Sequence, residues 1–206
     1  MNPSPFAKRQ IILLAVLFCS IAFLLAIADR APIHMEKRYP SAHVREEFTF
    51  YLDGIVQKTL PGPLVYRVLM PWTITGLQTI APFMSPLDID LMMKIFILVV
   101  CQASFYFYTR LFFPPFVSLA GVFLLDSLLG FALASIQGPS LIETSDLFNL
   151  AIYVLALIAL SLNSFRSLLV ILFIGTFNRE STWLILPILF VSDFKNRRKR
   201  IIVQAS

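Results

Sequence analysis

Apolar residues in this chain fall into long blocks rather than alternating short runs. Five blocks stand out, at 11–28, 91–109, 116–136, 147–162 and 168–191. About 20 apolar residues in helical conformation cross the ~30 Å hydrocarbon layer of a bilayer, so blocks of this length predict membrane helices. A sixth block, 68–84, is shorter and interrupted by Pro71 and Pro82. Its Thr73, Thr75, Gln78 and Thr79 predict a helix lying in, or dipping into, the membrane interface. The one long polar region is 29–67. Within it Phe48, Tyr51, Leu52 and Ile55 recur at helical spacing, which predicts a helix over 44–58 resting an apolar stripe on the membrane. No internal repeat or low-complexity linker divides the chain. The expected fold is all-α: a polytopic integral membrane helix bundle of five to six membrane segments plus an interfacial helix, in one domain, 1–206.

Composition agrees. The chain has 206 residues, 58% hydrophobic and 14% charged, with a mean hydropathy of +0.79. A soluble domain of this length could not hide that much apolar surface. The formal charge of +5 does not point to nucleic acid, because the basic residues concentrate in KNRRKR, Lys195 to Arg200, directly after an apolar block. That is where cytoplasmic charge is expected beside a membrane helix. Cys19 and Cys101 fall inside apolar blocks and supply neither a disulfide framework nor a metal site. AIA before Asp29 imitates a signal-peptide cleavage site. The preceding run is longer than a usual signal core, and more spans follow, so an uncleaved first helix is the expectation.

Lys8 and Arg9 place the N-terminus in the cytoplasm, which makes 29–67 an external loop. With 68–84 interfacial, Arg110 and Arg166 return to the cytoplasm, and the external connection 137–146 carries no Lys or Arg. The localisation expected is the cell inner (plasma) membrane, multi-pass. The block 168–191 then poses a problem, since Arg166 and KNRRKR flank it and both want the cytoplasmic side. A broken hairpin over 168–192 resolves this: short helices at 168–177 and 182–192 meet at NRES, with Arg179 and Glu180 at the tip. The competing reading is one tilted helix carrying a mutually neutralising pair.

Three clusters carry candidate chemistry. In REEFTFYLDG, Glu46 and Asp53 are seven residues apart and share a helix face, with Glu47 beside them. Such carboxylates could hold a divalent cation or act as general base, or simply be the wet side of an amphipathic helix. In PGPLVYRVLMPW, Tyr66 and Arg67 open the interfacial segment, where an arginine fork suits a phosphate headgroup and equally serves as an anchor. In ETSDLFNL, Asp146 opens a helix as cap or dipole partner, and gains interest only if it meets Arg67 or Arg179 in space. Asp126, in mid-helix, is either functional or a hydrogen-bonded structural carboxyl. His34 and His43 both lie in the external loop, which leaves intramembrane metal catalysis without ligands.

Together, the first helix, the acidic external loop, YRVLMP before a dipping helix, the acid opening a later helix, and NRE in a broken apolar pair resemble the front half of bacterial GT-C-type glycosyltransferases. That resemblance implies a membrane enzyme drawing a sugar from a polyprenyl-phosphate-linked donor at the external face. The base would be Glu47 or Glu46, with Asp53 third; Tyr66, Arg67, Asp146, Asn178, Arg179 and Glu180 would contact the donor. Enzymes of that kind are usually much longer, so the chain reads as a fragment, a split subunit or an inactive relative. The alternatives are a non-catalytic multi-pass subunit, held by lipid or a membrane-protein partner, and a small transporter built on Asp126 and the broken hairpin.

Overall fold

The structure is a computed structural model. It describes the backbone of residues 5–35, 41–57, 59, 68–135, 140–179, 182, 185 and 187. Side chains are described for 10–26, 49–57, 59, 68–130, 144–179, 182, 185 and 187. The described residues form seven helices and no strand: α1 (Pro5–Met35), α2 (Ser41–Val56), α3 (Leu69–Ile80), α4 (Pro86–Arg110), α5 (Pro115–Ser135), α6 (Ser140–Ser161) and α7 (Phe165–Asn178). Two stretches, Pro86–Arg110 and Thr144–Ser161, are long and apolar enough to cross a membrane by length and composition. Gln10–Ala26, Pro115–Gly130 and Phe165–Asn178 are apolar but shorter.

Local chemistry sets the helix boundaries. Ser85 caps α4: its Oγ accepts from Asp88 N and donates to Asp88 Oδ2, and Pro86 fills the first helical position, where no N–H is needed. Pro71 sits in the first turn of α3 for the same reason, so it helps to start the helix rather than break it. The three α3 threonines turn their hydroxyls back onto carbonyls one turn earlier: Thr73 to Leu69, Thr75 to Pro71 and Thr79 to Thr75. Their polarity is thereby satisfied within the helix. Twelve residues rise about 18 Å, short of a span, and Met70, Pro71 and Ile74 are buried against the bundle. The α6–α7 corner closes with Ser164 N donating to Ala159 O and Asn163 N to Leu160 O, while Asn163 takes φ 53°. This left-handed C-cap turns the chain sharply, and asparagine tolerates it better than most residues.

Helix directions follow from specific contacts. Phe18 meets Tyr106 edge to face where α1 packs on α4. Gln102 meets Asp126 and Phe105 lies beside Gly121, so α5 runs against α4. Thr144 meets Asp90, near the starts of α6 and α4, and Asn178 at the end of α7 meets Ser145. The starts of α4 and α6 and the end of α7 therefore share one end of the bundle; Arg110 and Arg166 lie at the other.

The main core joins Ala22 and Ala26 of α1, Leu52 and Ile55 of α2, Met70 and Ile74 of α3, Ile97, Leu98 and Cys101 of α4, and Leu147 and Ala151 of α6. The helix expected over 44–58 is present as α2, with Leu52 and Ile55 buried and Tyr51 half-buried; the Phe48 side chain lies outside the described residues. A second core, Ile152, Ala156, Ala159, Leu168, Leu172 and Ile185, binds α6 to α7 and to the chain beyond it. Apolar side chains on the outer faces, among them Phe23, Phe96, Phe116, Leu124, Phe173 and Phe177, are exposed, as lipid-facing positions would be.

Two boundaries differ from the sequence reading. The expected 147–162 helix starts at Ser140, so Asp146 lies in the second turn of α6 and does not open it. Hydropathy marks where a helix turns apolar; here the polar residues Thr144 and Asp146 are helical too, and meet Asp90 of α4 and Arg179. The first hairpin arm is also longer than 168–177. Fourteen residues rise about 21 Å, which brings Arg179 level with the first turns of α6, where it meets Asp146.

Candidate functional site

The end shared by α4, α6 and α7 is polar inside. α4 contributes Asp90 and Lys94, both buried, the lysine only 1% exposed. They continue the inward stripe of Ile97, Leu98 and Cys101, one turn apart, at a spacing where opposite charges on one helix reach each other. Thr144 Oγ1 donates to Asp90 Oδ1 at 2.8 Å, tying α6 to α4. The structure buries Asp90, since position 90 falls in phase with the apolar stripe.

The end of α7 is stitched to α6 by successive contacts. Asn178 Nδ2 donates to Ser145 O at 2.8 Å, and Arg179 Nη1 to Asp146 Oδ1 at 2.5 Å. Thr182 Oγ1 lies 3.1 Å from Asn149 Oδ1 and 3.0 Å from Gly175 O. Its single proton serves one acceptor at a time. Arg179 leaves the helix in an extended conformation, φ −160°, ψ 136°. Partners then move along α6 from Ser145 to Asn149 as the chain goes from 178 to 182, while Thr182 also returns to Gly175. In a continuous helix seven residues rise about 10.5 Å, so this contact requires reversal. The chain turns back after Arg179, and Ile185 re-enters the α6–α7 core. A single helix over 168–191 is excluded. The rest of the return arm, 182–192, lies outside the described residues.

Gly175 permits the reversal. A methyl group there would lie 2.5 Å from Thr182 Cγ2 and 2.9 Å from Ile152 Cγ2. Only a residue without Cβ lets the returning chain and α6 come this close to α7.

Arg179 and Asp146 differ from their surroundings in being accessible, at 34% and 43%. Asn178 and Thr182, on either side, are fully buried. The guanidinium is thus presented at a rim by a backbone fixed on both flanks. Meeting Arg179 is the condition under which Asp146 was of interest, and the fold fulfils it.

The other candidates divide. Asp53 is exposed on α2, outside the buried polar group. Glu46 and Glu47 lie on the α2 backbone, but their side chains, with Tyr66, Arg67 and Glu180, lie outside the described residues. Among the described residues no three His, Cys, Asp or Glu side chains gather where a metal ion could be held. Sequence reasoning missed Lys94, Thr144, Asn149 and Thr182. Lys94 had a legible signal: a lone cation inside an apolar block, one turn after an acid. The small polar residues had none, since their role depends on which helix they face.

Comparison with protein-family models, with curated proteins and with solved structures finds no match to this chain.

Proposed function

We propose that the chain is a multi-pass protein of the inner (plasma) membrane with its N-terminus in the cytoplasm, and that it acts as a GT-C-like module handling a polyprenyl-phosphate-linked sugar at the external face. The observation that carries this reading is the Arg179–Asp146 pair, held at an accessible rim by the reversed chain. Two of the residues on which the resemblance rests, far apart in sequence, meet there. They do so at the end of the bundle opposite Arg110 and Arg166, the external end under the basic-residue rule. One carboxylate contact leaves most of the five-donor guanidinium fork available to phosphate oxygens. Glu47 or Glu46 on α2 would serve as base toward the acceptor hydroxyl.

Binding and transfer of a polyprenyl-phosphate sugar by the intact chain and two variants tests this. Arg179→Lys keeps the charge and loses the fork, so donor binding should weaken. Glu47→Gln keeps the bulk and loses the base, so binding should persist while turnover falls. Unchanged binding and turnover in both variants of an active chain would sink the site assignment. An intact chain that neither binds nor transfers would favour a non-catalytic membrane subunit.

A further inference from the structure

Away from the rim, α4 and α5 enclose a second polar group, and α1 packs against both. Gln102 Nε2 donates to Asp126 Oδ1 at 2.9 Å. Both side chains are buried. Each has a second oxygen, Gln102 Oε1 and Asp126 Oδ2, that is buried with no hydrogen-bond partner among the described residues. With an ionised carboxylate both orphans are acceptors, and neither can satisfy the other. The residues with which α1 enters this core, Ala22, Leu25 and Ala26, carry no side-chain donor. Among the described side chains of α1, residues 10–26, none is charged, and Asp126 is the only charged one among those described in α5. On α4, Cys101 is the adjacent titratable group; Lys94 and Arg110 each lie eight residues from Gln102, about 12 Å along the helix.

We propose that Asp126 and Gln102 form a proton-binding site: a carboxylic acid and a carboxamide closed on two edges. Gln102 Nε2–H donates to Asp126 Oδ1, and Asp126 Oδ2–H donates to Gln102 Oε1. One proton turns two mismatched acceptors into a donor and an acceptor, and both orphans disappear. A water would also donate to both oxygens, but it would leave an ionised carboxylate between helices whose outer faces are apolar. A hard cation wants six or more oxygens, whereas this seam offers two. The closed pair is neutral, which suits helices whose outer faces are apolar, and it joins α4 to α5 without an ionised group between them. This site is independent of the donor-binding reading.

Infrared spectroscopy of the full chain in vesicles of ether-linked lipids at neutral pH tests it, because those lipids carry no ester carbonyl and exposed carboxyls are ionised, leaving the carboxylic-acid C=O region clear. The intact chain should show one such band, shifted in D2O and absent from Asp126→Asn. In that variant an amide replaces the acid in the same hydrogen-bonding outline. Gln102→Leu should move the band to higher frequency, since the carbonyl loses its N–H donor. No acid band in the intact chain would overturn the proposal whether or not either variant folds. A band that Gln102→Leu leaves in place would overturn the pairing.

Discussion

At the scale of single residues, the same rim holds two kinds of polar side chain that should respond differently to substitution. Asn178 is fully buried, and its amide donates to the Ser145 carbonyl. Asn178→Ala removes that buried hydrogen bond and leaves a small cavity, while the Ser145 carbonyl keeps its helical partner, and should cost about 1–2 kcal/mol. Arg179 and Asp146 remain more than one-third exposed, and a pair so hydrated contributes below about 1 kcal/mol. Thermal unfolding in detergent should therefore show Asn178→Ala as the more destabilised and Arg179→Ala as nearly intact. Ligand assays should rank the two in reverse. An Arg179→Ala protein as unstable as Asn178→Ala would mean that the arginine holds the hairpin together rather than facing a ligand.

At the scale of elements, glycine substitutions separate close packing from helix propensity. Gly76 lies in α3 with no heavy atom within 4 Å of a built Cβ, so Gly76→Ala should stabilise by up to about 1 kcal/mol. Gly175→Ala gains the same propensity but drives a methyl into Thr182 and Ile152. Overpacking of that kind costs about 1–3 kcal/mol. Thr182 cannot easily swing aside, because its hydroxyl is held between Asn149 and Gly175. The net effect should be destabilising, and Thr182→Ser, which removes Cγ2, should recover part of it. Melting temperatures of the three single variants and the Gly175→Ala/Thr182→Ser double would show this. Equal stabilisation by both alanines would contradict the tight reversal.

At the scale of the whole molecule, the chain reverses after Arg179 and Ile185 re-enters the α6–α7 core, on a course toward the end of the bundle that holds Arg166. In a membrane, Ser167 and Asn196 should then face the same, cytoplasmic, side. With Cys19 and Cys101 replaced, single cysteines at Ser167 and Asn196 should both resist an impermeant thiol reagent applied outside the cell. Labelling at Asn196 alone would place the two ends on opposite sides and defeat the hairpin topology. A cysteine at Ser85, between α3 and α4 at the other end, should label readily.

Much of this architecture is written in the order of residue types. Block length and composition determine helices, because an apolar segment in hydrocarbon must satisfy its backbone internally. The apolar stripe of α2 and the break at NRES are legible for related reasons: one is a period, the other a charge pair that a simple span would not carry. Tertiary structure alone decided which polar residues face inward and whom they meet. Asp146 looked like a cap and became the partner of Arg179; Asp90, at the edge of an apolar block, became a buried acceptor for Thr144. Asp126 was visible as an anomaly, but Gln102 as its partner was not, because the two lie 24 residues apart on antiparallel helices. Helix formation depends on neighbours in sequence, which a reader of the chain can inspect. The polar contacts depend on helix rotation and axial offset, which are fixed by packing many side chains at once.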